Sequence, residues 1–132
     1  MENIIPRPDQ DSDSEPFWAG LKKNKLFIQQ CEHCGEYIFY PRLICPYCFS
    51  ERVMWVKATG NGQIYSYTVV HRAFGAFKDQ TPFIIGIVEL DEGVRMMTRI
   101  LGNQNQVKIG KSVSIFYKKI DSNLTLPYFQ IT

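Results

Sequence analysis

Histidine is scarce in this 132-residue chain, which has two, and cysteine is absent everywhere outside residues 31–48. No GxSxG elbow occurs. The sequence therefore offers no isolated nucleophile beside a base and an orienting third group, as covalent catalysis needs. An excess of one charge is lacking too: fifteen Lys and Arg face thirteen Asp and Glu, for a net charge of +2. Such a balance leaves no electrostatic footprint for a nucleic-acid backbone or an anionic membrane. No apolar run approaches the roughly 18 residues of a membrane span. The opening stretch MENIIPRPDQDSDSE lacks the charged-then-apolar order of a secretory signal, which predicts a cytoplasmic protein. In that reducing setting four cysteines in two CxxC pairs favour a metal over disulfides.

The pairs are Cys31-x2-Cys34 and Cys45-x2-Cys48, ten residues apart. Each CxxC turns tightly enough to set two thiolates on one ion, and two such knuckles complete a tetrahedron. Gly35 permits the positive φ expected after Cys34, and Pro46 stiffens the second knuckle. Four thiolates leave no open position, so the site reads as structural rather than catalytic. His33 lies inside the first knuckle with its side chain expected to point outward. Zinc and iron both accept four thiolates. With no sign of a second redox centre, zinc is the expected ion and iron the alternative. A segment of about twenty residues cannot bury enough apolar surface to fold alone, and metal binding worth about 10–16 kcal/mol in small peptides makes up the difference.

Residues 1–13 carry two prolines and few large apolar side chains, and read as an arm. Ser14 is a candidate cap for a short helix, with Glu15 and Pro16 in its first turn and Lys22, Lys23 and Lys25 at its end. Phe17, Trp18 and Leu21 give that helix an apolar stripe that must pack on its own chain or on a partner. Leu26 to Gln30 reads as a strand entering the cysteine segment. A series of strands follows: Val53 to Ala58, Gln63 to His71, Phe83 to Leu90, Val94 to Leu101, Val113 to Lys118 and Leu124 to Ile131. Gln63 to His71 alternates Ile64, Ser66, Thr68 and Val70 against Tyr65, Tyr67, Val69 and His71. Phe83 to Leu90 is a nearly unbroken apolar run, which predicts burial on both faces. Asp91-Glu92-Gly93 reads as a hairpin tip in solvent. Five or six such strands predict a mainly β chain closing into a small antiparallel barrel.

With both halves in view, the chain resembles the zinc-ribbon OB-fold proteins long labelled a domain of unknown function and described as acyl-CoA-associated. The resemblance rests on PFWAGLKKNKLFIQQCEHCGEYIFYPRLICPYC, GNGQIYSYTVVHR, PFIIGIVELDEGVRMMTRI and IGKSVSIFY, and runs from about Pro16 to the C-terminus. Where the family often has two prolines before the second CxxC, this chain has Tyr40-Pro41. It implies an N-terminal arm and helix over 1–25, a rubredoxin-like zinc ribbon over 26–50 and an OB-fold over 51–132. It further implies a non-catalytic partner in a hetero-oligomer with a thiolase, a hydroxymethylglutaryl-CoA synthase-like enzyme, a ketosynthase-like acyltransferase or a hydratase. In such complexes these proteins bridge subunits and help shape a site for coenzyme A. The family offers no catalytic residue to place on this chain.

The segment HRAFGAFKDQTPF joins two strands and holds Phe74 and Phe77 around Gly75. The rings either cap the barrel or form an apolar patch for a partner enzyme or the pantetheine part of coenzyme A. His71, Arg72 and Lys78 around them are candidate contacts to phosphates or to a partner. Phe17 and Trp18 are expected to dock a partner, with the nearby lysines in solvent. The competing reading is a single-strand nucleic-acid module built on the same two folds, with Tyr65 and Tyr67 as stacking platforms. The near-balanced charge and the lack of a basic stripe among the aromatics count against it.

Overall fold

Helix α1 spans Glu15–Lys22 in a computed structural model that describes residue 8 and residues 12–132. Most of the expected arm lies outside those residues. Pro16 sits in the first turn and Lys22 in the last, as their chemistry dictates. Ser14 stands at the N-cap position, yet its hydroxyl accepts the indole N–H of Trp18 (3.1 Å) and caps no backbone amide. Phe17, Trp18 and Leu21 are buried against the chain itself. Phe17 meets Trp18 edge-on, with centroids 4.9 Å apart, and packs beside Phe39 at 5.6 Å.

Strands β1 (Phe27–Cys31), β2 (Tyr37–Ile38) and β3 (Val53–Lys57) form one antiparallel sheet in the order β2-β1-β3. This corrects one expectation. The strand beginning at Val53 belongs with the cysteine segment, where it pairs along all of β1 from Phe27↔Lys57 to Cys31↔Val53. The barrel therefore has five strands: β4 (Asn61–Val70), β5 (Phe83–Leu90), β6 (Arg95–Leu101), β7 (Ser112–Asp121) and β8 (Leu124–Ile131). They close in the order β4-β5-β6-β8-β7, with β7 returning to β4 at Asn61↔Ser114. Every junction is antiparallel except β6 with β8, because the β7–β8 hairpin inserts between β6 and β4.

The Gln63 to His71 alternation breaks at a bulge. Ile64 pairs with Val88, but the next rung is Ser66↔Ile87, so Tyr65 is the extra residue. A one-residue slip exchanges faces. Ile64 is accordingly in register with Tyr67 and Val69, which stand opposite Gly86 and Ile84; Val69 packs on the core, whereas Tyr67 stays 37% exposed. Inside the barrel pack Ile64, Ile84, Val88, Met96, Ile100 and Phe129, and Val107 from the β6–β7 connection is buried in the same core. The same core continues through Leu26 and Ile28 to Phe17 and Leu21, so helix, ribbon base and barrel share one interior. The expected solvent tip at Asp91 and Glu92 is tied down. Glu92 accepts the Thr59 amide at 3.0 Å, and Asp91 accepts the Thr59 hydroxyl at 3.2 Å.

Candidate metal centre and the surfaces around it

Strand β1 delivers Cys31 to its last position, and the chain then turns through Cys34 into the β1–β2 hairpin. Gly35 takes φ +80°, and its amide bonds the Cys31 carbonyl at 2.9 Å while the Cys31 amide bonds Glu36. The second knuckle repeats this geometry. The Phe49 amide reaches the Cys45 carbonyl at 2.9 Å, and the Cys45 amide reaches Ser50. The position equivalent to Gly35 is Phe49, held at φ +63° with its ring 79% exposed. An L residue there carries strain that glycine avoids.

The four sulfurs lie within 4.8 Å of one another, with Cys31–Cys48 and Cys34–Cys45 both at 3.6 Å. A regular tetrahedron with bonds of about 2.3 Å has edges of about 3.8 Å, so the donor set fits a zinc-sized ion. Backbone amides of Cys34 and Tyr47 point at the sulfurs of Cys31 and Cys45, at 3.5 and 3.4 Å. Charge is spread unevenly over the cluster. The Cys34 amide, first among several donors, draws the Cys31 thiol down to about 6. The Glu36 amide favours a thiolate at Cys34, yet desolvation and the neighbouring thiols outweigh it and push Cys34 up to about 12. Cys48 is likewise raised: the Ser50 amide pulls down, and desolvation with Cys31 and Cys45 pushes up further. Thiolates this close ionise together only when a cation sits among them. His33 is exposed and stands outside the group.

One contributor carried no sequence signal. Gln29, only 4% exposed on β1, donates through Nε2 to the Arg42 carbonyl at 2.9 Å and accepts the Arg42 amide at 2.7 Å. This reciprocal pair fastens the stretch that precedes Cys45, an outer support for the ligands. Apolar packing here is thin. Ile38 joins Cys31 and Cys45 in a three-residue buried cluster, which agrees with a segment that needs its metal to hold shape.

Away from the metal, the expected contacts scatter. His71, Arg72 and Lys78 are exposed, and Phe74 is 93% exposed. Phe77, on a 3-10 helix over Gly75–Gln80, folds back to lie 5.9 Å from the Phe83 ring. Phe77 thus packs on its own chain, whereas the Phe74 ring stands in solvent. Phe17 and Trp18 are 2% and 7% exposed, so the stripe expected to dock a partner is covered by the chain's own core. The Arg95 guanidinium lies 3.8 Å over the Tyr65 ring and pairs with Glu89 at 3.0 Å, which caps one proposed stacking platform. The ribbon instead exposes Leu43, Tyr47 and Phe49. Among the described residues no helix is long and apolar enough to cross a membrane.

Two family models match the chain: a ChsH2 rubredoxin-like zinc ribbon domain over residues 18–53 and a ChsH2 C-terminal OB-fold domain over residues 55–117. A DUF35 domain-containing scaffold protein of Methanocaldococcus jannaschii is 36% identical over 110 residues, covering 78% of this chain and 75% of that protein. A probable enoyl-CoA hydratase alpha subunit of Thermomonospora curvata is 35% identical over 129 residues, 96% of this chain. The chain spans 40% of the length of that subunit. Among solved structures, an Ltp2-ChsH2(DUF35) aldolase matches with a TM-score of 0.86 and 33% identity, covering 95% of this chain and 98% of the matched one.

Proposed function

The chain belongs to the DUF35 family of paired zinc-ribbon and OB-fold domains, and from that premise we propose that it is a non-catalytic scaffold subunit of an acyl-CoA-processing complex. The observation that carries the proposal is the closed four-cysteine site on a ribbon whose base shares a core with the barrel. Four sulfur ligands leave the ion no position for substrate, so it acts as a structural brace. Zinc is the ion assigned, since four thiolates at this spacing suit it and the chain offers no second redox centre. Relatives named as a scaffold protein and a hydratase alpha subunit, and a structure named as an aldolase, support a role beside an acyl-CoA enzyme.

The partner in this reading is a thiolase-like, synthase-like or hydratase subunit in the cytoplasm, in a hetero-oligomer that this chain bridges. Phe74, with His71, Arg72 and Lys78 nearby in sequence, offers an apolar ring beside cationic or titratable side chains for coenzyme A at the shared boundary. Tagged purification from the native host, followed by mass spectrometry, tests the proposal. An acyl-CoA enzyme should co-purify in fixed ratio, and metal analysis should find about one zinc per chain. Co-purification of no such enzyme, together with no calorimetric signal for coenzyme A, would overturn it.

A further inference from the structure

Strand β5 has two apolar faces. Ile84, Val88 and Leu90 point into the barrel, while Phe83, Ile85 and Ile87 point outward and are only half-buried. A barrel strand facing water ordinarily alternates with polar residues. Here the second cover that the unbroken run requires is incomplete among the described residues, of which Pro8 lines one margin. Opposite Ile87 and Ile85 on β6 stand Met97 and Arg99, and Met97 is 73% exposed. On the far side of β6 the parallel ladder to β8 is registered at Ile100↔Phe129 and Leu101↔Gln130. Nearer Met97 the Thr98 hydroxyl bridges to the Pro127 carbonyl at 2.6 Å. Two adjoining grooves of about 580 and 460 Å³ lie over this seam, sharing Met97, Thr98, Arg99, Leu126 and Tyr128.

Arg99 is the charge in this apolar field. Its guanidinium stands 4.6 Å from the Phe83 ring and 5.8 Å from the Tyr128 ring, and it donates to the Gln80 side-chain oxygen. Among the described residues no carboxylate pairs with it and none lines either groove. A guanidinium stacked on aromatic faces keeps in-plane donors for a planar anionic partner. The complement of such a surface is an apolar segment bearing one carboxylate. A second copy of this chain fits poorly, because a two-fold contact buries this face against itself, and among the described residues no carboxylate lines either groove to meet Arg99.

We infer that the outer face of β5, β6 and β8 is the seat of the partner enzyme, occupied by an apolar segment whose single Asp or Glu pairs with Arg99. This rests on the reading of the chain as a subunit of an acyl-CoA enzyme complex. The test places a photo-crosslinking amino acid at Met97, and in a separate variant at Lys111, which lines neither groove, in the native host. The adduct from Met97 should be an apolar, carboxylate-bearing peptide of the enzyme that co-purifies, and Lys111 should give none. Arg99→Glu should weaken the complex by about tenfold or more, and reversing the carboxylate to Arg on the partner should restore it. Met97→Asp, at an exposed site that leaves the core intact, should weaken it comparably. An enzyme that co-purifies while Met97 gives no adduct, or gives one with a second copy, overturns this inference alone. So does association kept within twofold in both variants. If no enzyme co-purifies, the scaffold reading falls and this one with it.

Discussion

Replacing Gln29 with leucine should loosen the metal centre without touching a ligand. The side chain is buried on β1 and makes two reciprocal bonds to Arg42, at 2.9 and 2.7 Å, three residues before Cys45. Leucine fills nearly the same space and removes both. Each hydrogen bond contributes about 1 kcal/mol net, and a main-chain group left partly unsatisfied costs about 1–3 kcal/mol. Arg42 lies at the surface, so water recovers part of that loss. The expected deficit is about 2–3 kcal/mol. If it falls on the loaded ribbon, zinc release should speed up by about 30- to 150-fold. Transfer of zinc to a chromogenic chelator measures that rate directly, with near-ultraviolet circular dichroism reporting the barrel. Gln29→Glu keeps the acceptor for the Arg42 amide but sets a carboxylate against the Arg42 carbonyl, and should release zinc at least as fast as the leucine variant. Release within twofold of the parent from a correctly folded Gln29→Leu protein would refute the reasoning.

Phe49→Gly should stabilise the zinc-loaded protein by about 0.5–1 kcal/mol, the left-handed strain relieved less the added freedom of the unfolded glycine. Denaturant melts of the loaded protein decide it, and a destabilised variant would show that the ring packs usefully within the chain. Cys48→Ser should strip the metal and disorder the ribbon while the barrel keeps its near-ultraviolet signal; loss of that signal would show that the shared core cannot stand without the ion. Cys34 and Cys48, both raised, hold their protons at neutral pH and must release them to bind metal, whereas Cys31 at about 6 is already largely thiolate. Apparent zinc affinity should therefore rise with pH, by about a hundredfold or more per unit near neutrality, those two thiols alone supplying the hundredfold, and a flat competition titration would contradict this. Single-stranded DNA or RNA should bind weakly with a shallow salt dependence, and a steep slope at high affinity would favour the nucleic-acid reading.

The strands were legible because their physics is local: β-branched and aromatic residues recur between Gly, Asn and Asp turns, and their limits match the expected segments to within a few residues. The metal site was legible for a related reason, since two CxxC pairs constrain geometry within a handful of bonds. What escaped depends on residues far apart in sequence. Nothing in Val53 to Lys57 says that its ladder runs to Phe27 to Cys31 and not into the barrel. The bulge at Tyr65 reverses the expected faces of β4, and an alternation of Ile and Tyr with Ser and Thr reads equally well in either register. The stripe of Phe17 and Trp18 announced that something covers it, and only the folded chain shows that the cover is its own core. The run Phe83 to Leu90 correctly signalled two apolar faces but not that one of them stays half open. Gln29 was invisible, because a lone polar residue in a strand has no pattern to betray its burial.

The pairing of β3 with β1 has a mechanical outcome. The sheet passes to the barrel through Ala58, whose amide bonds Leu26, and then Thr59, which is held by Asp91 and Glu92 at the β5–β6 turn. Ribbon and barrel are thus clamped at two places above a continuous interior, like a bracket with two fixed arms. A protein seated on one arm finds the other already at a set distance and angle. Whatever then meets Leu43, Tyr47 and Phe49 at the ribbon tip does so at an effective concentration fixed by this geometry, without the entropy that a tether would lose. In the scaffold role proposed above, the metal would set the spacing between the proteins that this chain joins.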